Sequence, residues 1–135
     1  MKLIDSSAWV EYLRDTGSRA CDEVDRLYRA DPSVVAVTEP VIMELLAGAT
    51  SERAFAQLST LTDGLRLLPV DAARDYHAAA VAYRAVRATG GTVRKLLDCL
   101  IAAIAVRTGA TVAHRDRDFD VLAAAMVDLR VRSLL

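Results

Sequence analysis

Five carboxylates of this chain stand within or directly after short apolar runs. Asp5 ends a strand-like stretch, and Glu44 interrupts an apolar helical run. Asp98 is the only charge in another apolar run, and Asp116 and Asp118 closely follow a further one. A buried carboxylate is costly unless it is paired, hydrogen-bonded or bound to a cation. Several carboxylates that converge would therefore bind a hard divalent ion.

The donor atoms of these acids indicate both the ion and the reaction. Oxygen ligands without His or Cys favour Mg²⁺ or Mn²⁺ over zinc or copper. Because Mg²⁺ keeps several waters and commonly binds phosphate oxygens of a substrate, the implied chemistry is phosphoryl transfer or phosphodiester hydrolysis. Ser6 or Ser7 could hold Asp5 in place by a hydrogen bond. No Ser-His-Asp or Cys-His pattern and no glycine-rich phosphate loop competes with this interpretation.

Basic residues near these acids in sequence could contact phosphate groups. Between Asp75 and Asp98 the chain carries no acid, and further arginines alternate with the acids of the fourth segment. A solvated helix face and an ordinary loop would show the same pattern, and the net charge of −1 provides no global positive field. The candidates for a phosphate-contacting rim are Arg84, Arg87, Arg94, Lys95, Arg115 and Arg117.

Strand and helix patterns alternate along the chain. Strands are predicted at residues 2–5, 34–37, 65–70, 111–114 and 131–135. Helices are predicted at residues 8–14, from 18 to about 30, 39–48, 51–62, 71–88, about 92–108 and 119–125, with Thr38 as one of the caps. This alternation implies right-handed crossovers, and hence an α/β sandwich with a mainly parallel sheet of four or five strands flanked by helices.

This topology would place the acids together, because sites in open parallel sheets lie beyond the carboxyl ends of the strands. Asp5 and the Asp116/Asp118 pair directly follow strands. Asp98 falls in the first turns of its helix, where the helix dipole favours a negative charge. Glu44 lies about two turns into the helix after the second strand and can reach the same edge.

Each acid also has a purely structural explanation. Asp5 could cap a helix, and Glu44 could pair with an arginine at the edge of its helix. Asp98 could form a buried ion pair, for which Arg94 is the nearest basic candidate. The last two acids could belong to an ordinary polar turn. The convergence of all of them is more specific than any one of them.

Length and composition predict one domain over residues 1–135, with 53% hydrophobic residues available for a core. No apolar stretch is long enough for a transmembrane helix, and an acid at position 5 is too early for a signal peptide. We therefore expect a cytoplasmic protein without membrane association. Cys21 and Cys99 fit that setting as unpaired residues, Cys99 as a small buried one.

Four segments carry a family resemblance. They read IDSSAWV at residues 4–10, PVIMELLAG at 40–48, LDCLIA at 97–102 and HRDRDF at 114–119. In this order and spacing they closely resemble the motifs of PIN-domain ribonucleases, and specifically of the VapC-type toxins of bacterial toxin–antitoxin pairs. The resemblance covers essentially the entire chain and implies a single PIN domain with a three-layer sandwich.

The resemblance also implies an activity and partners. PIN-domain toxins of this type are Mg²⁺-dependent endoribonucleases, usually homodimers, that cleave structured cellular RNA such as transfer or ribosomal RNA. Cleavage stops translation and growth until a small antitoxin binds; its C-terminal segment wraps the toxin and places an arginine in the acidic pocket. We expect the same function here, with Mn²⁺ able to replace Mg²⁺, and a toxin–antitoxin hetero-oligomer.

Site residues follow from the matched motifs. Ser6 matches a hydroxyl position that supports the first acid. Asp118, directly before Phe119, is the best match to the fourth acid of the family. Asp116 is an extra acid nearby that could share the metal. The resemblance thus implies that the catalytic and metal-binding acids are Asp5, Glu44, Asp98, Asp118 and Asp116. The basic residues of the rim named above become candidate RNA contacts.

Three other functions remain open. A Mg²⁺-dependent phosphatase with Asp5 as its nucleophile would need a second acid two residues later, but Ser7 stands there and Glu44 would have no role. A phospho-acceptor receiver module would carry an acid pair after the first strand, where this chain has one acid. A non-catalytic PIN-like module that binds RNA or protein would be indicated by lost core acids, and none is missing.

Overall fold

Five parallel strands form one sheet in the computed structural model, which describes residues 1–135. The strand order is β3-β2-β1-β4-β5, and every neighbouring pair is parallel. This arrangement confirms the predicted α/β class. The strands are β1 (Lys2–Ile4), β2 (Val35–Val37), β3 (Arg66–Leu67), β4 (Thr111–His114) and β5 (Arg130–Ser133).

Helices cover both faces of the sheet. All three residues of β2 are buried, although successive side chains of a strand point to opposite faces. None of the helices is long and apolar enough to cross a membrane. The helices are α1 (Ser6–Leu13), α2 (Arg19–Ala30), α3 (Glu39–Ala47), α4 (Glu52–Asp63), α5 (Asp75–Ala88), α6 (Leu96–Thr108) and α7 (Arg117–Ala125), with one 3₁₀ turn at Pro32–Val34.

Helix α6 runs through the core and fixes the position of Asp98. Every residue from Asp98 to Ala105 is buried, as expected of a helix that is apolar on all sides. Asp98 lies in its first turn and is 1% exposed. A carboxylate is therefore buried in the first turn of a core helix.

Two helices begin earlier than predicted because acids cap them. Helix α1 begins at Ser6 rather than residue 8, since Asp5 accepts a hydrogen bond from the N–H two residues later. Helix α7 begins at Arg117 rather than residue 119, and Asp116 caps it in the same way. Both capping acids belong to the predicted site, so the caps also orient the site.

Other predicted boundaries were too wide or shifted. Helix α5 begins at Asp75 rather than residue 71, because the Asp75 carboxylate accepts from the N–H of Asp71 and closes a turn ahead of the helix. Helix α6 begins at Leu96 rather than near residue 92, after an extended Lys95. Strand β3 is only two exposed residues at the sheet edge, and β5 ends at residue 133 rather than 135. Thr38 precedes α3, but its hydroxyl makes no capping hydrogen bond.

Candidate metal centre and active site

The predicted acids meet at the carboxyl edge of the sheet. Ligand oxygens of Asp98, Asp116 and Asp118 all lie within 4.8 Å of one another. Asp5, at the end of the neighbouring strand β1, is close enough that its charge acts on both Asp98 and Glu44. Four separate segments thus supply one acidic pocket.

Asp5 is held by the hydroxyl of Ser7. Its Oδ2 accepts from the Ser7 N–H at 3.0 Å and from the Ser7 Oγ–H at 2.6 Å. The Ser7 hydroxyl oxygen also accepts from the Arg115 N–H at 2.9 Å. Ser7 therefore joins the start of α1 to the loop that follows β4. The other carboxylate oxygen, Oδ1, is buried and has no hydrogen-bond donor.

Ser6 has a different partner from the predicted one. Its hydroxyl donates to Oε1 of Glu44 at 3.1 Å, and it makes no hydrogen bond to Asp5. The prediction that Ser6 supports Asp5 is therefore wrong, because α1 begins at Ser6 and directs this side chain toward α3. Burial and the nearby charge of Asp5 raise the pKa of Glu44. Lys95, 3.8 Å from Oε2, opposes that rise.

Asp98 has no basic partner of its own. Its Oδ2 is buried without a hydrogen-bond donor. Burial is the main cause that raises the pKa of Asp98, to about 7, and the negative charge of Asp5 is the second. The positive charge of Lys95 partly opposes this rise. The alternative of a buried ion pair with Arg94 is wrong, since that arginine binds other acids.

Arg94 instead binds the two acids of the fourth segment. Its Nε–H donates to Oδ2 of Asp118 at 3.1 Å, and its Nη2–H donates to Oδ1 of Asp116 at 2.9 Å. Asp118 is buried, while Asp116 is half-buried and caps α7. These two acids are the best neutralised of the pocket.

His114 orients this loop, a role that the sequence analysis missed. The ring is fully buried and packs against Phe119 at a centroid distance of 5.2 Å. Its Nδ1 accepts from the Asp116 N–H at 3.2 Å, so its Nε2–H donates to Oδ1 of Asp120 at 3.1 Å. The available signal was its place at the end of an apolar strand, directly before the alternating Arg and Asp residues.

The candidate rim residues fall into three groups. Arg94 and Lys95 contact the pocket acids directly, and Arg115 pairs with Glu11 at 3.0 Å beside the pocket. Arg117 is exposed at the start of α7 and makes no ion pair. The last two, Arg84 and Arg87, are exposed on α5 and make no contact with the acids.

The residues present fit a divalent cation. Two buried carboxylate oxygens, one each on Asp5 and Asp98, lack any donor, and such groups are normally satisfied in folded proteins. The surrounding ligand atoms are carboxylate oxygens, which suit hard divalent metals. A cation at this position would satisfy both oxygens and relieve the repulsion between the acids. The cluster can therefore hold a metal.

Sequence comparison assigns the family. A sequence model of the PIN domain matches residues 2–125. The chain belongs to the PIN-domain family. The protein named Ribonuclease VapC11 from Mycobacterium tuberculosis strain H37Rv is 53% identical over 123 residues, which are 91% of this chain and 92% of that protein. These matches confirm the resemblance carried by the four acidic motifs.

Solved structures share the PIN fold. A chain in the structure of FitAB bound to an IR36 DNA fragment has a TM-score of 0.76 and 23% identity, and the alignment covers 98% of this chain and 94% of that one. A chain in the structure of VapBC-5, a member of the VapBC family of toxin–antitoxin systems from Mycobacterium tuberculosis, has a TM-score of 0.57 and 26% identity. That alignment covers 73% of this chain and 81% of the other.

Proposed function

We propose that this PIN-domain protein is a Mg²⁺-dependent endoribonuclease toxin that hydrolyses phosphodiester bonds in cellular RNA. The observation that carries the proposal is the pocket of five acids, in which the buried Asp5 and Asp98 each keep one oxygen without a donor. The relative at 53% identity is named a ribonuclease. Structured RNA of the translation machinery, transfer or ribosomal, is the substrate class we expect, and its cleavage in the cytoplasm would stop growth.

The acids would hold the cation from several sides. Asp5, Asp98, Asp116 and Asp118 are the proposed ligands, with Glu44 beside them as a further ligand or proton carrier. When bound, Mg²⁺ or Mn²⁺ would supply a Lewis acid that activates water and offsets charge on the phosphodiester. The raised pKa of Glu44 suits it to exchange a proton closer to neutral pH than an ordinary glutamate does.

Hydrogen bonds from neighbouring residues would keep these ligands in position. The Ser7 hydroxyl orients Asp5, and the Ser6 hydroxyl orients Glu44. His114 holds the backbone of Asp116. Such outer contacts usually matter for metal affinity almost as much as the ligands themselves. These hydrogen bonds therefore hold the acids of the pocket in position before any metal or RNA binds.

RNA recognition would rely on the phosphate backbone and on shape. Trp9 and Tyr12 do not offer a stacking surface, because Trp9 is fully buried and both rings pack against each other and against Tyr28 at centroid distances near 6 Å. Both are therefore packing residues of the core. Basic side chains at the pocket mouth are the remaining candidates for RNA contact. These are Arg94, Lys95, Arg115 and Arg117, with Arg84 and Arg87 farther along α5.

An apolar groove beside the pocket suits the antitoxin. A cavity of about 370 Å³ between α1, α3 and α4 is lined by Val10, Leu13, Leu45 and Leu58, among others, and Glu44 stands at its border. A peptide segment lying in this groove would reach the acids. The similar VapBC-5 chain comes from a toxin–antitoxin system. We propose that a cognate antitoxin binds here, and that the toxin forms a homodimer within the hetero-oligomer.

Cleavage of total cellular RNA by the purified, antitoxin-free protein tests the activity. Wild type would be incubated with Mg²⁺ or with EDTA, and compared with Asp98→Asn and with Asp128→Asn, which neutralises an exposed acid outside the pocket. We expect discrete fragments that need Mg²⁺, and a loss of at least about 100-fold in Asp98→Asn, since changes in outer contacts alone already cost metal sites about 10- to 100-fold.

Three outcomes would contradict the proposal. Equal cleavage by wild type and Asp98→Asn, or cleavage that survives EDTA, would remove the acid pocket from the reaction. No cleavage by a folded preparation that binds metal would favour the phosphatase or the binding module. Sequencing of fragment ends would identify the RNA and the cleaved bond.

A further inference from the structure

Arg94 makes its ion pairs with two acids of the pocket, Asp116 and Asp118. Its two guanidinium hydrogen bonds, at 3.1 and 2.9 Å, go to Asp118 and Asp116. These acids belong to the group of three whose ligand oxygens lie within 4.8 Å of one another. One side chain of the protein therefore occupies an oxygen on each of two acids that could hold a divalent cation.

The guanidinium can leave without moving the backbone around it. The Arg94 side chain is 69% exposed, whereas the preceding Val93 is 3% exposed and packs in the core. The Arg94 N–H separately donates to Oδ2 of Asp118 at 3.2 Å. This backbone bond keeps the loop attached to Asp118 when the side chain turns toward solvent.

No other basic side chain makes hydrogen bonds to Asp116 or Asp118. Lys95 stands 3.8 Å from Glu44, which is too long for a hydrogen bond. Arg115 is paired with Glu11, outside the pocket. Arg117 makes no ion pair, although it lies between the same two acids in sequence. Arg94 is therefore the one basic side chain that is hydrogen-bonded to the clustered acids.

We propose that Arg94 is an internal counter-ion that competes with the divalent cation for Asp116 and Asp118. The inference rests on the metal site of the proposed function. Without metal, the guanidinium offsets the repulsion between acids that share one pocket. A bound cation and the guanidinium would repel each other at the same two acids, so metal binding displaces Arg94. Arg94 thus stabilises the metal-free protein and weakens metal binding by the same factor.

Two linked measurements on Arg94→Ala test this. Mn²⁺ binding would be followed by the electron paramagnetic resonance signal of the free ion, and melting temperature would be measured in EDTA and in saturating Mn²⁺. Arg117→Ala is the matched control, because it removes the same charge near the same acids but breaks no ion pair. Arg94→Gln serves as a second variant in case the alanine substitution disturbs the fold.

We expect Arg94→Ala to bind Mn²⁺ about three- to tenfold more tightly than Arg117→Ala does, a range set by the modest strength of exposed ion pairs. In EDTA it should melt at a lower temperature than the control, and saturating Mn²⁺ should close that gap. Arg94→Gln should shift in the same directions. If only the loss of a nearby positive charge mattered, the Mn²⁺ affinity would rise equally in Arg94→Ala and Arg117→Ala.

The outcomes separate this inference from the proposed function. Equal Mn²⁺ affinity in the Arg94 and Arg117 variants, or weaker binding in Arg94→Ala, would overturn the competition and leave the metal site intact. If wild type and all variants fail to bind Mn²⁺, the metal site itself is wrong, and the inference falls with it.

Discussion

Asp98 is the pocket residue whose charge is hardest to accommodate without metal. It is buried, one of its oxygens lacks a donor, and its pKa is raised to about 7 by burial and by Asp5. Because an unfolded aspartate titrates near 3.8, this group favours the folded state most at low pH. Its contribution to stability falls as the pH rises from about 4 and is fully lost above about 7.

Asp98→Asn should therefore stabilise the metal-free protein at neutral and alkaline pH. In EDTA, its melting temperature should exceed that of wild type by a margin that grows from about pH 4 and levels off above about pH 7. Asp128→Asn, at an exposed position, should show no such growth. A lower melting temperature for Asp98→Asn at pH 8 would mean that the ionised Asp98 has a stabilising partner.

The two serines after β1 should differ in their effects. Ser7→Ala removes the hydroxyl that donates to Asp5 and accepts from the Arg115 N–H, so Mn²⁺ affinity should fall by about 10- to 100-fold. Ser6→Ala removes one bond to Glu44 and should cost less. Titration with Mn²⁺ would measure both. A larger loss in Ser6→Ala would make Glu44, rather than Asp5, the dominant ligand.

At the level of elements, the alternation of patterns predicted most of the fold and the convergence of the acids. Parallel strands end at one edge, so acids that follow them must meet there. The helix starts were less predictable, because Asp5 and Asp116 both act as caps and as pocket residues. A shift of one residue turns a helical side chain by about 100°. That rotation decides whether Ser6 or Ser7 faces Asp5.

The partner of Arg94 could not be predicted for a different reason. Its neighbours in sequence suggested Asp98, but it lies in a loop, where helical spacing does not apply. The path of that loop sets its contacts, and Val93 anchors the path in the core. Long-range pairs of this kind depend on the assembled structure, in contrast to pairs within one helix.

One ion pair joins two elements away from the pocket. Asp75, at the start of α5, accepts two hydrogen bonds from Arg107, near the end of α6, at 2.8 and 2.9 Å. Burial opposes ionisation of Asp75, but Arg107 and the Asp71 N–H outweigh it and lower its pKa. The stabilisation from this pair is therefore present at neutral pH and is lost as the pH falls through that lowered pKa.

Asp75→Asn should destabilise the protein by about 2 kcal/mol, since breaking a largely buried pair leaves Arg107 without its counter-charge. Asp25→Asn, which breaks an exposed pair with Arg29, should cost below about 0.5 kcal/mol. Urea denaturation would measure both. Mn²⁺ affinity should not change, because Arg107 lies about 13 Å along α6 from Asp98. Reduced affinity would show that the position of α6 depends on this pair.

For the whole molecule, the distribution of charge matters more than its sum. The net charge is −1, yet the acids gather in one pocket while basic side chains stand at its mouth. RNA must bring phosphates close to that pocket despite the carboxylates. A bound cation and the exposed arginines would together reverse the local field, so RNA affinity should depend on both metal and salt.

Arg117 tests this view, since it is exposed and makes no ion pair within the protein. If it contacts a phosphate, Arg117→Ala should weaken RNA binding and reduce the slope of log affinity against log salt by about 1. Binding would be measured in the Asp98→Asn background to prevent cleavage. Arg53→Ala, on α4 and also without an ion pair, is the matched control and should leave the slope unchanged. Equal slopes for both variants would place the RNA on another face and exclude Arg117 from the rim.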